Sequence, residues 1–439
     1  MATRLIVKDA EIVTMDDRLG DFTEADILID DGAIVAVGPE LVDPAAEVID
    51  GRGSIVLPGI IDAHNCLWQT VLRGAVPDLW PGTYFTEFLP LRSRFRPEDN
   101  FNAAYIGGFE MLSYGTTTVV DYCHNVRGPG YAEASIQALQ ETGIRHVFSY
   151  SFMSAEPDGF ASLEDRFADA RRIHAAFHDP ASLTTINFGV VSPGSPGLDA
   201  QIAFARSLGA PSCIHLHHAD AVTALDARGL IGPDLMVIHG NQLTNAELDR
   251  MAAVGMPICF TPSADVQGTP ADVVRRAADR GVPVVFGCDV PCHVASDPIG
   301  QLRVMFNVQG FIDGAMARSF GSVSGRRPPV GPDMPLLTPR RLIQMATIGA
   351  ARVLGLDERI GSLAAGKRAD LVMVRKGPFG SSVTGDPCAH VLLQTSPRDI
   401  DTVIVDGRVR MRGGQLKDFD GARAHAMLAA SRRQILGGP

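Results

Sequence analysis

The run Leu57-Pro58-Gly59-Ile60-Ile61-Asp62-Ala63-His64-Asn65-Cys66 ends an apolar strand in an imidazole and a thiol, two side chains that bind borderline and soft metal ions. Side chains at i and i+2 share one face of a strand, so His64 and Cys66 project together past its C-terminal end. Three later runs finish in the same way: Ile214-His215-Leu216-His217, Val237-Ile238-His239, and Val285-Phe286-Gly287-Cys288-Asp289. Any one of these residues could be an ordinary hydrogen-bonded core residue. Repetition at four strand ends, in chain order, points instead to a metal site.

Side chains that could shape a pocket stand beside these ends. Trp68 and Gln69 follow the first strand, in a loop from which Gln69 could bind an amide or a ring edge. Cys123 and His124 follow the second strand, and His124 could bind substrate or cap its loop. His293 and Asp297, in the loop after Asp289, read as solvated loop residues.

To bring such ends together, the strands must be parallel and closed on one another. From Ile60 the texture is right for that, because apolar runs (Thr117 to Val120, Arg145 to Tyr150, Ser212 to Leu216, Leu235 to Ile238, Pro257 to Phe260, Val282 to Phe286) alternate with Ala-rich helical stretches. The helical candidates are Asn102 to Ser113, Ala132 to Glu141, Leu163 to Phe177, Ala200 to Ser207, Ala246 to Ala253 and Pro339 to Ile348. This is an α/β pattern, a (β/α)8 TIM barrel over residues 58–356, whose C-terminal face is where barrel enzymes keep their sites. Short β runs with tight turns occupy residues 1–57. They return after Gly355 at Asp370 to Val374, His390 to Leu393 and Thr402 to Val405, so 1–57 and 357–439 are expected to form one composite β-sandwich domain, closed by a helix over Gly421 to Ile435.

Composition narrows the partners. The 439 residues are 46% hydrophobic and 20% charged, a globular balance, and 39 Lys+Arg against 50 Asp+Glu give a net charge of -11 with no basic stripe. A small-molecule substrate is expected, with neither nucleic acid nor membrane as a partner. Seven scattered cysteines suit reduced thiols in the cytoplasm. Walker, dinucleotide and serine-hydrolase motifs are absent.

Over essentially its whole length the chain resembles the amidohydrolase superfamily, in its deaminase and chlorohydrolase branch, which includes cytosine, guanine and hydroxytriazine hydrolases. The resemblance rests on Leu57 to His64, on Tyr114-Gly115-Thr116-Thr117-Thr118, on His239-Gly240 with Leu243-Thr244, on Gly287-Cys288-Asp289, and on Gly361-Ser362-Leu363-Ala364-Ala365-Gly366-Lys367-Arg368-Ala369-Asp370-Leu371. It implies His64, Cys66, His217, His239 and Asp289 as metal ligands, with His215 and His218 out of register. It also implies Asp289, His239 and Asp220 as the catalytic groups: Asp289 takes the proton of the activated water, His239 orients the nucleophile, and Asp220 carries protons to the substrate nitrogen and leaving group. The reaction would displace an amino group, or a halide or alkylamine, from an electron-poor nitrogen heterocycle, and relatives of this kind typically pair as dimers. The apolar segment Leu302 to Phe320 is the candidate dimer face. Two positions depart from the branch pattern. Cys66 stands where the second His of His-x-His belongs, and Asp220 where a Glu belongs. The ion would be zinc or iron, or the site would be empty. The departures also leave a lyase or decarboxylase of the same fold, and a silent binding protein, as alternative readings.

Overall fold

The computed structural model describes residues 4–76, 82–153, 158–267, 272–319, 337–377 and 385–437, with backbone alone for 314–319. Phe320, at the end of the expected dimer face, lies outside the described residues. Five strands open the chain: β1 (Leu5–Ile12), β2 (Phe22–Asp30), β3 (Ala33–Gly38), β4 (Glu47–Asp50) and β5 (Ser54–Pro58). Eight follow that make the barrel: β6 (Ile60–Asn65), β7 (Thr116–Cys123), β8 (Arg145–Ser151), β9 (Thr184–Val190), β10 (Ser212–Leu216), β11 (Leu235–His239), β12 (Ile258–Phe260) and β13 (Val284–Phe286). Four more, β14 (Leu371–Arg375), β15 (Ile400–Val405), β16 (Arg408–Arg412) and β17 (Gln415–Leu416), return to the first sheet, where β14 runs antiparallel to β5 from Leu371↔Pro58 to Arg375↔Ser54.

The barrel strands pair in parallel in chain order from β6 to β13. Beyond the last residue of β13 the seam is closed by backbone hydrogen bonds, from Asp289 N to His64 O (2.9 Å) and from Cys66 N to Asp289 O (2.7 Å). Gly287 permits this approach, since a Cβ there would stand 2.4 Å from His64 O. Asp62 fastens the same seam. Its carboxylate accepts from His64 N at 3.2 Å, from Cys288 N at 3.1 Å and from Asn65 Nδ2 at 2.9 Å, while burial pushes it up to about 6. Side chains alternate along the strands in the usual way. Ile214, Val237 and Phe286 pack outward against the helices, and Cys213, Ile238 and Val285 face the interior.

Helices start where local chemistry caps them. Asp99 accepts from Arg96 N (2.9 Å) ahead of helix Pro97–Ser113, and Thr244, from the Leu243-Thr244 motif, caps Asn245–Val254 with Glu247 returning the bond at 3.0 Å. One expected strand is corrected by the same physics. His390 to Leu393 lies in helix Pro387–Gln394, because the Asp386 side chain caps Ala389 N at 2.9 Å, Pro387 occupies the first turn, and Cys388, Val391 and Leu392 bury one helical face.

The glycine- and alanine-rich motif before β14 docks the terminal sheet on the barrel. Asp370 takes two hydrogen bonds from Arg145 at the start of β8 (2.8 and 3.1 Å), both side chains being buried, and accepts Asp406 N at 2.8 Å. Asp370→Ala removes two charged hydrogen bonds but leaves Arg145 the Asp406 carboxylate at 3.2 Å, so it should lower unfolding free energy by about 1.5–3 kcal/mol. Denaturant unfolding curves against wild type check this.

Candidate active site and metal centre

At the C-terminal mouth of the barrel a cavity of about 490 Å³ is lined by Cys66, His124, His215, His217, His239 and Asp289 among other residues. His64 is wholly buried at its floor, with Nε2 3.2 Å from Asp289 Oδ1. Cys66 Sγ lies 4.0 Å from His64 Nε2 and 3.8 Å from Asp289 Oδ1. These three donor atoms form the one triangle of that compactness among the described residues. A tetrahedral ion with bonds of about 2.0–2.3 Å spans edges of roughly 3.3–3.6 Å, so the triangle fits such an ion after shifts of a few tenths of an ångström. His239 Nε2 is 4.0 Å from Asp289 Oδ2, and the rings of His217 and His239 are 5.0 Å apart. His64, Cys66 and Asp289 thus stand together, while His239 and the more exposed His217 line the same cavity without joining that triangle.

Two of them arrive through the backbone. Val237 packs outward, so period-two alternation sends His239 outward as well. A left-handed φ of 70° at His239 turns it into the mouth, and Asp289 has a φ of 66° at the end of its own strand. Non-glycine residues rarely hold that conformation, and it is held here at two positions facing the same cavity.

Burial alone would raise the Asp289 carboxyl. The hydrogen bond and charge of His64, then the charge of His239, bring it down to about 2, so it is ionised at working pH. Burial, followed by the Asp289 charge, pushes the Cys66 thiol well above its usual range, and binding an ion there entails loss of that proton.

Asp265 is a site residue that the strand-end reading missed. Its Oδ1 accepts from His239 Nδ1 at 2.9 Å and Asn241 Nδ2 at 2.7 Å, and its Oδ2 from Thr261 N at 2.7 Å. It comes four residues after Thr261, which directly follows β12, so it lies beyond the strand end itself. Burial works against the charge of His239, but Asp265 and then Asp289 bring it up to about 9. Asp265→Asn removes the nearer carboxylate. In metal-free protein the His239 ring, cationic up to about pH 9 in the wild type, should then lose its proton at lower pH, a shift read by NMR titration of the imidazole.

The remaining sequence candidates divide. His124 lines the cavity. Trp68 and Gln69 do not: the chain enters a 3-10 helix, Leu67–Leu72, directly after Cys66, which turns both side chains into the core behind the lining. Trp68 Nε1 donates to His124 Nδ1 at 3.4 Å, and Gln69 Nε2 to the Tyr84 hydroxyl at 2.9 Å. Asp220 is exposed, with a φ of 64° at the cap of helix Ala221–Asp226, and is outside the cavity lining. His215, set aside by register, faces the interior, its ring 5.0 Å from that of His64, and His293 lines the cavity.

The sequence profile of the amidohydrolase family matches residues 55–410, which spans the barrel and most of the returning sheet. The chain belongs to the amidohydrolase family. The chain is 26% identical to a 5-methylthioadenosine/S-adenosylhomocysteine deaminase of Desulforudis audaxviator, over 95% of each chain. It is 27% identical to an 8-oxoguanine deaminase of Pseudomonas aeruginosa, over 94% of this chain and 95% of that one. Its fold superposes on an adenosine deaminase from Xanthomonas campestris, solved with bound zinc, with a TM-score of 0.83 at 22% identity and 99% coverage of both chains.

Proposed function

We propose that this amidohydrolase is a metal-dependent hydrolase of a non-peptide C–N bond, and that it deaminates a nitrogen heterocycle. The observation that carries the reading is the buried triangle of His64 Nε2, Cys66 Sγ and Asp289 Oδ1 at the floor of a cavity of about 490 Å³, a volume suited to a small planar molecule. The deaminases among the relatives support the choice of bond. His64, Cys66, His217, His239 and Asp289 are the proposed ligands of one zinc ion, which when bound supplies Lewis acidity and acidifies water.

The chain's own groups account for the protons. Asp289, ionised and 4.0 Å from His239 Nε2, accepts the proton of the attacking water, and His239, held by Asp265, steadies charge at the attacked carbon. The C–N bond then breaks, the oxygen stays on the ring, and ammonia leaves. Asp220, three residues after His217, is the proton carrier that the family resemblance implies, and it stands exposed at the cap of helix Ala221–Asp226.

Ammonia release from a panel of amino-purines, amino-pyrimidines and amino-triazines tests the reading. Turnover that a chelator abolishes and zinc restores is expected, with Asp220→Asn lowering kcat by about 100-fold. Zinc-loaded protein that releases no ammonia from any of them would sink it. The proposal also includes a cytoplasmic homodimer, supported by the seven free cysteines and by Phe311, 71% exposed on helix Pro298–Ser319. Light scattering that reports only monomer removes the dimer.

A further inference from the structure

Behind the cavity wall a chain of polar groups converges on one phenol. The indole Nε1 of Trp68 has a hydrogen to give and no lone pair to offer, so at 3.4 Å it makes His124 Nδ1 an acceptor and leaves the ring proton on Nε2. Nε2 is 2.8 Å from the Tyr84 hydroxyl and therefore donates to it. Gln69 is oriented from its other side, because Cys292 Sγ donates to Oε1 at 3.0 Å, and its Nε2 donates to the same hydroxyl at 2.9 Å.

The Tyr84 oxygen thus receives two hydrogen bonds, one for each lone pair, and its own hydrogen is the single polar capacity it has left. Among the described residues no acceptor takes that hydrogen. Tyr84 lines the cavity, on the segment Tyr84–Phe88, beside Phe85, whose ring lies 5.3 Å away and is 60% exposed. Gln69 and Trp68 are at most 1% exposed, and of the two groups beside His124 Nδ1 the indole at 3.4 Å is nearer than Cys66 Sγ at 3.7 Å, so the indole sets the tautomer.

We propose that Tyr84 is a specificity-determining residue whose hydroxyl can act toward substrate only as a donor, selecting heterocycles that present a carbonyl oxygen at that wall. An amino group or ring N–H in the same place meets a second donor and is rejected, because both hydrogens are then buried without a partner. The proposal rests on the heterocycle reading given under Proposed function and names the chemistry of the substrate's non-reacting edge.

Matched pairs test it: guanine against 2,6-diaminopurine, and 8-oxoadenine against 8-aminoadenine, in which one ring carbon bears either an oxo or an amino group. Zinc-loaded wild type should favour the oxo member of at least one pair in kcat/KM, and Tyr84→Phe should cut that member's kcat/KM by about 10- to 100-fold and collapse the preference. Trp68→Phe keeps the phenol but frees His124 to take its proton, so it should erode the same preference with Tyr84 in place, which a purely structural role for Tyr84 would not produce. Zinc content and melting temperature of each variant identify any that has lost its site or fold. A preference that survives both substitutions, or none in the wild type, overturns the proposal. If the wild type hydrolyses no member, the deaminase reading falls separately. Tyr84 is then judged by calorimetric binding of the same four compounds, where loss of oxo-member affinity in Tyr84→Phe sustains it and equal or absent binding overturns it.

Discussion

Asp289→Asn should lower kcat/KM by at least about 1,000-fold while leaving the fold intact. The carboxylate has three neighbours at once. Oδ1 is 3.2 Å from His64 Nε2 and 3.8 Å from Cys66 Sγ, and Oδ2 is 4.0 Å from His239 Nε2. Asparagine has nearly the same shape, but it carries no charge and cannot take the proton of attacking water at neutral pH. Proton transfer by one positioned group contributes 10²–10⁴-fold, and the same substitution also removes an anionic metal ligand, so the two losses compound. The backbone of residue 289 closes the barrel through Asp289 N to His64 O and Cys66 N to Asp289 O, and asparagine preserves both bonds. Steady-state kinetics with zinc content and a melting curve on the same preparation check the prediction. A variant with a tenth of wild-type activity would mean that Asp289 does not accept the proton.

Much of this site could be read along the chain because period-two alternation has direct geometric consequences. An apolar run that ends in His64 or Asp289 states both which element holds the side chain and toward which end it points. Where that rule failed, a specific physical cause intervened. β9, Thr184–Val190, escaped the list of apolar runs because Thr184, Thr185 and Asn187 interrupt it, although every residue but Thr185 is buried. His390 to Leu393 looked like a strand because four residues cannot separate a period of two from one of 3.6, and the Asp386 cap decided for the helix. Trp68 and Gln69 have the composition of pocket residues, but a 3-10 turn after Cys66 rotates them behind the lining. Tyr84 gave no signal, since it comes from a long excursion between β6 and helix Pro97–Ser113 whose course no periodicity encodes.

Cys66 is one corner of the donor triangle, and substitution there should decide what kind of site this is. Cys66→Ala removes one corner of a triangle whose other two atoms, His64 Nε2 and Asp289 Oδ1, are 3.2 Å apart, and leaves no donor in its place. Loss of a group that merely supports a ligand costs 10–100-fold in metal affinity, so loss of the ligand itself should cost more than about 100-fold. Elemental analysis of protein purified with zinc, iron and manganese supplied should find the wild type loaded and Cys66→Ala nearly empty. Cys66→His asks a second question. An imidazole brings one negative charge fewer than a thiolate, which strengthens the ion as a Lewis acid, so the acidic limb of the pH–rate profile should move to lower pH. The larger ring must also find room, because His124 Nδ1 lies 3.7 Å from Sγ and is itself fixed by Trp68. Metal retention with a lowered acidic limb is therefore expected together with a rise in KM, as His124 yields and the wall beside Tyr84 shifts. Equal metal content in wild type and Cys66→Ala would mean that the thiol is not a ligand. The barrel mouth would then hold its ion, if any, through imidazoles and Asp289 alone.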